Sequence, residues 1–330
     1  MPIIDYINPY AYLMCTRRSL YERGWLRSYH PGIPVISVGN LTMGGTGKSP
    51  MVLLIANYII QKHSKRVAII SRGYKRRTSG FLLVNNGKEI LASVEESGDE
   101  ARMFAELLPN AIVIVDEDRY NGAEKAKELG ADVIVLDDGF QHLRLKRDLN
   151  ILIVDGASSP VLPFGRSREP AKAARAAHII VRSDGKDTSD TGDIVSNTIN
   201  PILRSKASSL MSLDGVVSVL LTDLQGKRIL ALSSIANPER FTNMLRKLGA
   251  DVIEKNLGDH AEYSDGIIQN VFNDAKISGA EMIVTTMKDA VKSRQYFEKA
   301  TTVIPIYILI HSLEFLRCED GFYKSIDSIL

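Results

Sequence analysis

PVISVGNLTMGGTGKSP, residues 34–50, decides the fold. Its first five residues, Pro34-Val35-Ile36-Ser37-Val38, form a short apolar run of the kind buried on both faces of a parallel sheet. From Lys48 to Gln61 the pattern becomes that of a helix. Between the two lies Thr42-Met43-Gly44-Gly45-Thr46-Gly47-Lys48-Ser49, a glycine-rich turn joining strand to helix. Such a turn lets successive backbone N–H groups point at phosphate oxygens, and the helix N-terminus adds partial positive charge. Lys48 is then expected to reach the β- and γ-phosphates of ATP, and the Ser49 hydroxyl to ligate Mg²⁺. Thr42 stands where this motif usually has its first glycine.

A site of this kind needs an acid at the end of another hydrophobic strand to hold the metal. Val133-Ile134-Val135-Leu136-Asp137-Asp138-Gly139 supplies it, with Asp137 and Asp138 where strand C-termini face the ligand crevice. The spacing leaves open which of the two binds Mg²⁺ directly. Around these motifs strands and helices alternate: strands at 66–71, 111–115, 132–136, 150–154 and 177–182, helices at 100–108 and 122–129. A second alternating block runs from the strand at 228–233 to the strand at 303–309. The expected fold is α/β: a P-loop NTPase-like parallel sheet flanked by helices, with a second, smaller α/β domain. The expected bounds are an N-terminal arm at 1–30, the P-loop domain at 31–182, a polar linker at 183–213 and the smaller domain at 214–330.

At 330 residues the chain has room for both domains. Its two cysteines, Cys15 and Cys318, lie far apart and outside any Cys/His cluster, which argues against a disulfide framework or a structural zinc site. Between Lys62 and Arg77 there are seven Lys or Arg residues and no acid, a run suited to an anionic partner. Few aromatic residues accompany these charges, so a nucleic-acid partner is not expected. No stretch supplies the roughly 18 apolar residues of a membrane span. The arm still has membrane-surface character: Ile3, Ile4, Ile7, Tyr10, Leu13 and Met14 precede Arg17, Arg18, Arg23, Trp25 and Arg27. An anionic membrane surface is the expected partner.

Several stretches taken together resemble one family, the tetraacyldisaccharide 4'-kinases of lipid A biosynthesis. They are residues 37–42 running into 44–50, Ser71-Arg72-Gly73-Tyr74, Gly98-Asp99-Glu100, Asp118-Arg119 and Asp137-Asp138-Gly139-Phe140-Gln141-His142. Pro163-Phe164-Gly165-Arg166, Arg168-Glu169-Pro170, Asp259-His260 and Thr286-Met287-Lys288-Asp289-Ala290 follow in the expected order. Thr42 belongs to that pattern. Ser49 stands for the commoner Thr and keeps the hydroxyl, and Ala261 stands where a second His is frequent.

The resemblance implies ATP- and Mg²⁺-dependent phosphorylation of the 4'-hydroxyl of a tetraacylated glucosamine disaccharide 1-phosphate, giving lipid IVA. It also implies a peripheral enzyme at the cytoplasmic face of the bacterial inner membrane, acting on a glycolipid. A sugar hydroxyl needs a proton acceptor. Asp99, which alone reads as the N-cap of a helix starting at Glu100, is the family's candidate base, with His260 as its partner. Glu169 would be a further metal-linked carboxylate. Arg119, Arg168 and Lys288 would clamp the triphosphate or the substrate phosphate, and Arg72 and Tyr74 would bind the disaccharide headgroup. The role of His142 stays open. A different P-loop enzyme, a GTPase or an ATP-dependent ligase, is the alternative; Thr286-Met287-Lys288-Asp289 resembles a guanine-reading motif only loosely.

Overall fold

The structure, a computed structural model, describes residue 5 and residues 7–44, 47–154, 156, 159–183, 198–215, 218–259, 261–300 and 304–330. The chain divides into two compact units: unit 1 comprises Met1–Arg204 and Leu313–Leu330, and unit 2 comprises Ser205–Ser312. Where the sequence places the smaller domain at 214–330, the last 18 residues (313–330) thus belong to unit 1. The polar segment expected to be a linker contains the whole of a long strand, Ile202–Ser212.

Unit 1 is built on a mostly parallel sheet. Its strands are β1 (Val35–Asn40), β2 (Val67–Ser71), β3 (Leu82–Asn86), β4 (Ile112–Val115), β5 (Val133–Asp137), β6 (Leu149–Val154) and β7 (Ile179–Ser183). Their spatial order is β3-β4-β2-β5-β1-β6-β7, and β3 alone runs antiparallel to its neighbour. Every residue of β1, β2, β4 and β5 is buried, as a sheet covered on both faces requires. The register Val38↔Asp137 between β1 and β5, with β2 on the other side of β5, brings the C-terminal ends of these three strands together.

The helices of unit 1 are α1 (Pro9–Glu22), α2 (Lys48–His63), α3 (Val94–Ser97), α4 (Asp99–Leu107) and α5 (Arg119–Glu128). α2 buries Met51, Val52, Ile55, Ala56 and Ile59, the i, i+3, i+4 stripe that its sequence prescribes. α5 lays Ala123 and Ala126 against Ala68, Ile70, Ile112, Ile114 and Ile134. Truncating one of these buried isoleucines to Ala is expected to cost about 2–5 kcal/mol. α1 is anchored on unit 1: the Asn8 amide donates to Val161 O (3.2 Å) and Leu162 O (2.9 Å), and Arg18 forms a buried ion pair with Glu169 at 2.7 Å. Among the described residues no helix is long and apolar enough to cross a membrane.

Unit 2 takes the end of β8 (Ile202–Ser212), β9 (Ser218–Val219), β10 (Arg228–Ser233), β11 (Asp251–Asn256), β12 (Met282–Thr286) and the start of β13 (Ile306–Arg317). β11, β10, β12 and β13 pair in that order, all parallel. Helices α6 (Pro238–Lys247), α7 (Asp265–Ile277) and α8 (Met287–Lys299) cover them, with Phe241 and Leu245 in one apolar cluster and Ile268, Val271 and Phe297 in another.

After β13 the chain re-enters unit 1 and forms α9 (Glu319–Asp327). Asp327 accepts from Tyr58 Oη (2.8 Å), Lys62 Nζ (2.9 Å) and His63 Nε2 (2.9 Å), all on the last turns of α2. Tyr58 stacks on Tyr323 with ring centroids 4.1 Å apart. The helix that begins at the phosphate-binding loop therefore ends under the C-terminal helix.

Candidate active site

The site lies at the C-terminal ends of β1, β5 and β2 in unit 1. Gly47, at φ +88°, is the N-cap of α2, a left-handed conformation that favours glycine. The turn at 42–44 is held by residues 166–168: Met43 N donates to Arg166 O (2.8 Å), Arg168 N to Leu41 O (2.6 Å), and the Arg166 guanidinium to Met43 O (3.1 Å). This brace was not legible in the sequence, because its two strands of chain lie more than a hundred positions apart. Gly45 and Thr46 lie outside the described residues.

Lys48 Nζ donates to Asn40 Oδ1 at 3.2 Å and lies 3.5 Å from Asp138 Oδ1. Asp138 stands in the left-handed region at φ +53°, directly after β5. Its carboxylate takes both guanidinium nitrogens of Arg168, at 2.7 and 2.8 Å, and Arg168 also bonds Asn40. Burial alone would raise the Asp138 pKa, but the Arg168 hydrogen bonds and the Lys48 charge outweigh it and hold the carboxyl below its ordinary value. A carboxylate so engaged by cations is a poor direct metal ligand in this arrangement.

Asp137 is different. It is buried, its Oδ2 accepts from Ser71 Oγ at 3.1 Å, and its Oδ1 has no hydrogen-bond partner among the described residues. Burial, then the charges of Glu100 and Asp138, push its pKa up to about 7, with Lys48 opposing. Ser49 Oγ donates to Glu100 Oε1 at 3.1 Å. Glu100 therefore joins Ser49 to the neighbourhood of Asp137, a role sequence reasoning missed; its signal was a second acid directly after Asp99. Among the described residues no group of three or more His, Cys, Asp or Glu side chains gathers at metal-binding distances. The orphaned Asp137 Oδ1 beside Ser49 and Glu100 nevertheless suits a small hard cation that keeps most of its ligands as water and phosphate oxygen.

Glu169 accepts from Arg18 through Oε2, while its Oε1 has no hydrogen-bond partner among the described residues and its charge acts on Arg168. Arg119 is almost fully buried and donates to Asp116 O (3.1 Å) and Asp137 O (3.5 Å), so it ties the strand ends beneath the site. Arg72 and Tyr74 are exposed on the loop after β2. The His142 pKa is lowered to about 4 by burial and by the Arg119 charge, which leaves a neutral imidazole 4.0 Å from Asp118.

Asp99 is buried at the start of α4 and accepts from Glu100 N at 2.9 Å. The helix begins one residue earlier than its capping pattern suggested, and Gly98 is the N-cap. At Gly98, φ is +84° and a Cβ would meet Tyr74 O at 3.0 Å, so glycine lets α4 approach the Arg72–Tyr74 loop. His260 lies outside the described residues.

Residues 8–330 match the sequence profile of the LpxK family, described as tetraacyldisaccharide-1-P 4'-kinase. A tetraacyldisaccharide 4'-kinase of Geobacter metallireducens is 39% identical over 296 residues, 86% of each chain. One from Desulfotalea psychrophila is 37% identical over 313 residues, 90% of this chain and 88% of that protein. The crystal structure of LpxK from Aquifex aeolicus in complex with ATP superposes with a TM-score of 0.78 at 31% identity, covering 99% of this chain and 97% of that one. Sequence profile, relatives and fold agree over almost the full length, and the chain belongs to the tetraacyldisaccharide-1-P 4'-kinase family.

Proposed function

We propose that this protein transfers the γ-phosphate of ATP to the 4'-hydroxyl of a tetraacylated glucosamine disaccharide 1-phosphate, forming lipid IVA. The observation that carries the reading is the placement of Lys48, Asn40, Asp138 and Arg168 in one hydrogen-bonded group next to the phosphate-binding turn. When ATP binds, Lys48 exchanges Asn40 and Asp138 for phosphate oxygens and stabilises charge that develops in the transition state. Arg168 keeps Asp138 ionised and the turn in register.

Mg²⁺, when bound, would neutralise phosphate charge; Ser49 and Asp137 are its proposed ligands, with Glu100 positioning Ser49. Asp99 is the proposed acceptor of the sugar hydroxyl proton, and His260 the residue on which that transfer also depends. Arg72 and Tyr74 are the proposed headgroup contacts. α1 exposes Tyr12 and Leu13, and Ile7 and Trp25 flank it, exposed, on either side; this supports a peripheral site at an anionic membrane surface on the cytoplasmic side.

An acceptor series tests the reading. A tetraacyldisaccharide 1-phosphate should accept phosphate from ATP, and the same glycolipid lacking its 4'-hydroxyl should not. Equal labelling of both acceptors, or a preference for GTP, would overturn it.

A further inference from the structure

Of the four basic side chains that follow β2, Arg72, Lys75, Arg76 and Arg77, the proposed reaction uses only Arg72. Arg76 is not a solvated cation: its side chain is 2% exposed. Its Nε and Nη2 both donate to Glu117 Oε1, at 3.2 and 2.7 Å, and Nη2 also donates to Gly80 O. Glu117 Oε2 accepts from Gly80 N at 2.9 Å, so one carboxylate takes both ends of the 76–80 stretch. Burial would raise the Glu117 pKa, but the Arg76 hydrogen bonds and those from backbone N–H groups outweigh it and keep the carboxyl below its ordinary value.

Arg76 also reaches back over the loop that carries Arg72 and Tyr74. Its backbone N donates to Gly73 O at 3.3 Å, and its side chain crosses Gly73 so closely that a Cβ there would not fit beside Arg76 Cδ. Within this turn Lys75 stands in the left-handed region at φ +59°, a conformation that persists in a lysine only where its surroundings fix it. On the upstream side, Asp116 N donates to Ser71 O at 3.1 Å. Residues 72–75 are therefore strung between two anchors on the segment after β4, Ser71–Asp116 and Arg76–Glu117, and Arg72 and Tyr74 stand exposed between them. Beyond the clamp, Arg77 N donates to Glu95 O (2.8 Å) and Thr78 Oγ1 to Glu96 O (2.7 Å), so the rest of the loop has its own ties to α3.

We propose that Arg76, held by Glu117, is a positioning residue for the acceptor: it fixes the turn from which Arg72 and Tyr74 meet the disaccharide headgroup. The inference rests on the reading that these two residues contact that headgroup. An unclamped turn samples conformations that cannot bind, and the apparent affinity for the acceptor falls with the fraction that can. Among the described residues no bond of the clamp reaches the phosphate-binding turn before α2, so ATP binding should be unaffected.

The test uses the full-length protein with ATP, Mg²⁺ and the tetraacyldisaccharide 1-phosphate, with turnover expressed per ATP-binding-competent molecule to remove any unfolded fraction. Arg76→Met keeps the apolar stem and removes the donors. It should raise the KM for the glycolipid about 5–30-fold, with kcat and the KM for ATP within about twofold of wild type. Arg76→Lys, which keeps a cation but loses the fork, serves if Arg76→Met does not fold, with a rise of at least about threefold. Glu117→Gln should raise the same KM at least about threefold. In the Glu117→Gln background Arg76→Met should add less than about its effect in the wild type, because groups acting together are lost together. An unchanged glycolipid KM in Arg76→Met beside a raised one in Arg72→Ala would overturn the positioning role and leave the headgroup contacts standing. A raised KM in Arg76→Met with an unchanged or lowered one in Glu117→Gln would overturn it too, since that pattern marks a direct contact between Arg76 and the acceptor; so would fully multiplicative effects in the double variant. Unchanged glycolipid KM in both Arg72→Ala and Tyr74→Ala would remove the underlying reading, and the proposal with it.

Discussion

Replacing Asp137 by Asn should stabilise the nucleotide-free protein and abolish its activity. In the wild type the buried carboxyl titrates near 7 instead of 3.8, because burial and the charges of Glu100 and Asp138 disfavour ionisation. Between those two values the folded protein holds a proton that the unfolded chain has lost, so stability falls as pH rises through the interval. At about 1.36 kcal/mol per pH unit, the gap from 3.8 to about 7 sets a ceiling of about 4 kcal/mol by pH 8. Asn carries no charge to bury, but its amide must find a place for two N–H donors where Asp137 Oδ1 has no partner. A net gain of about 1–2 kcal/mol at pH 8 is therefore expected, or roughly 2–8 °C in Tm for a unit of this size.

The assay is urea or thermal unfolding of wild type and Asp137→Asn in the presence of a chelator, at pH 5 and pH 8. The variant's advantage should be present at pH 8 and turn into a deficit of about 1 kcal/mol at pH 5, because about 2–3 kcal/mol of the wild type's penalty accrues between pH 5 and 7. At pH 8, adding Mg²⁺ and a non-hydrolysable ATP analogue should reverse the order, since only the wild type gains the metal ligand. A variant that is less stable at pH 8 without metal, or an advantage that does not change with pH, would refute the reasoning.

Lys48→Ala should lower kcat by about 10²–10³-fold or more while leaving the melting temperature within a few degrees; near-normal turnover would mean that the turn is not the phosphate site. Asp327→Asn should weaken the α9–α2 contact by at most about 1 kcal/mol after solvent screening. Burial would raise the Asp327 pKa, yet its bonds to Lys62, Tyr58 and His63 lower it to about 2, so the deficit should be full above pH 3.8 and fade as pH falls towards 2. A deficit that persists at low pH in urea titrations would show that charge is not its origin. Changing the exposed Tyr12, Leu13 and Trp25 to Ser should reduce sedimentation with anionic vesicles and raise the KM for the glycolipid, with ATP kinetics unchanged; unaltered sedimentation would return α1 to a purely structural role. Point changes are preferable to deleting the arm, because deletion would strand Glu169 without Arg18.

The elements legible in the sequence are those set by local pattern. The strand expected at 66–71 appears as Val67–Ser71, the helix at 48–61 as Lys48–His63, and the strand at 132–136 as Val133–Asp137. Apolar runs and a glycine turn specify these within a few neighbouring residues. β8 escaped notice because Leu203, Ala207 and Leu210 are buried at spacings that do not alternate. α8 was hidden behind the Thr286–Asp289 motif, whose residues turn out to start the helix: Thr286 caps it by accepting from Asp289 N.

Within the site, Lys48, Ser49 and Asp137 could be named from spacing. Their actual partners could not. The Arg168–Asp138 pair joins residues 30 positions apart and the Ser49–Glu100 bond joins residues 51 apart, and no local period encodes either. The same applies to Glu169, whose neighbours in sequence suggest a phosphate site while its buried partner, Arg18, comes from a helix 151 positions away.

The most direct test of the central claim is a single transfer reaction. Purified protein would be incubated with γ-labelled ATP, Mg²⁺ and a tetraacyldisaccharide 1-phosphate, and the glycolipid product mapped by phosphorus NMR and mass spectrometry. One new phosphate at the 4' position is expected, and no transfer by Lys48→Ala under the same conditions. Folded, ATP-binding protein that leaves this acceptor unlabelled, or that labels a different hydroxyl, would contradict it.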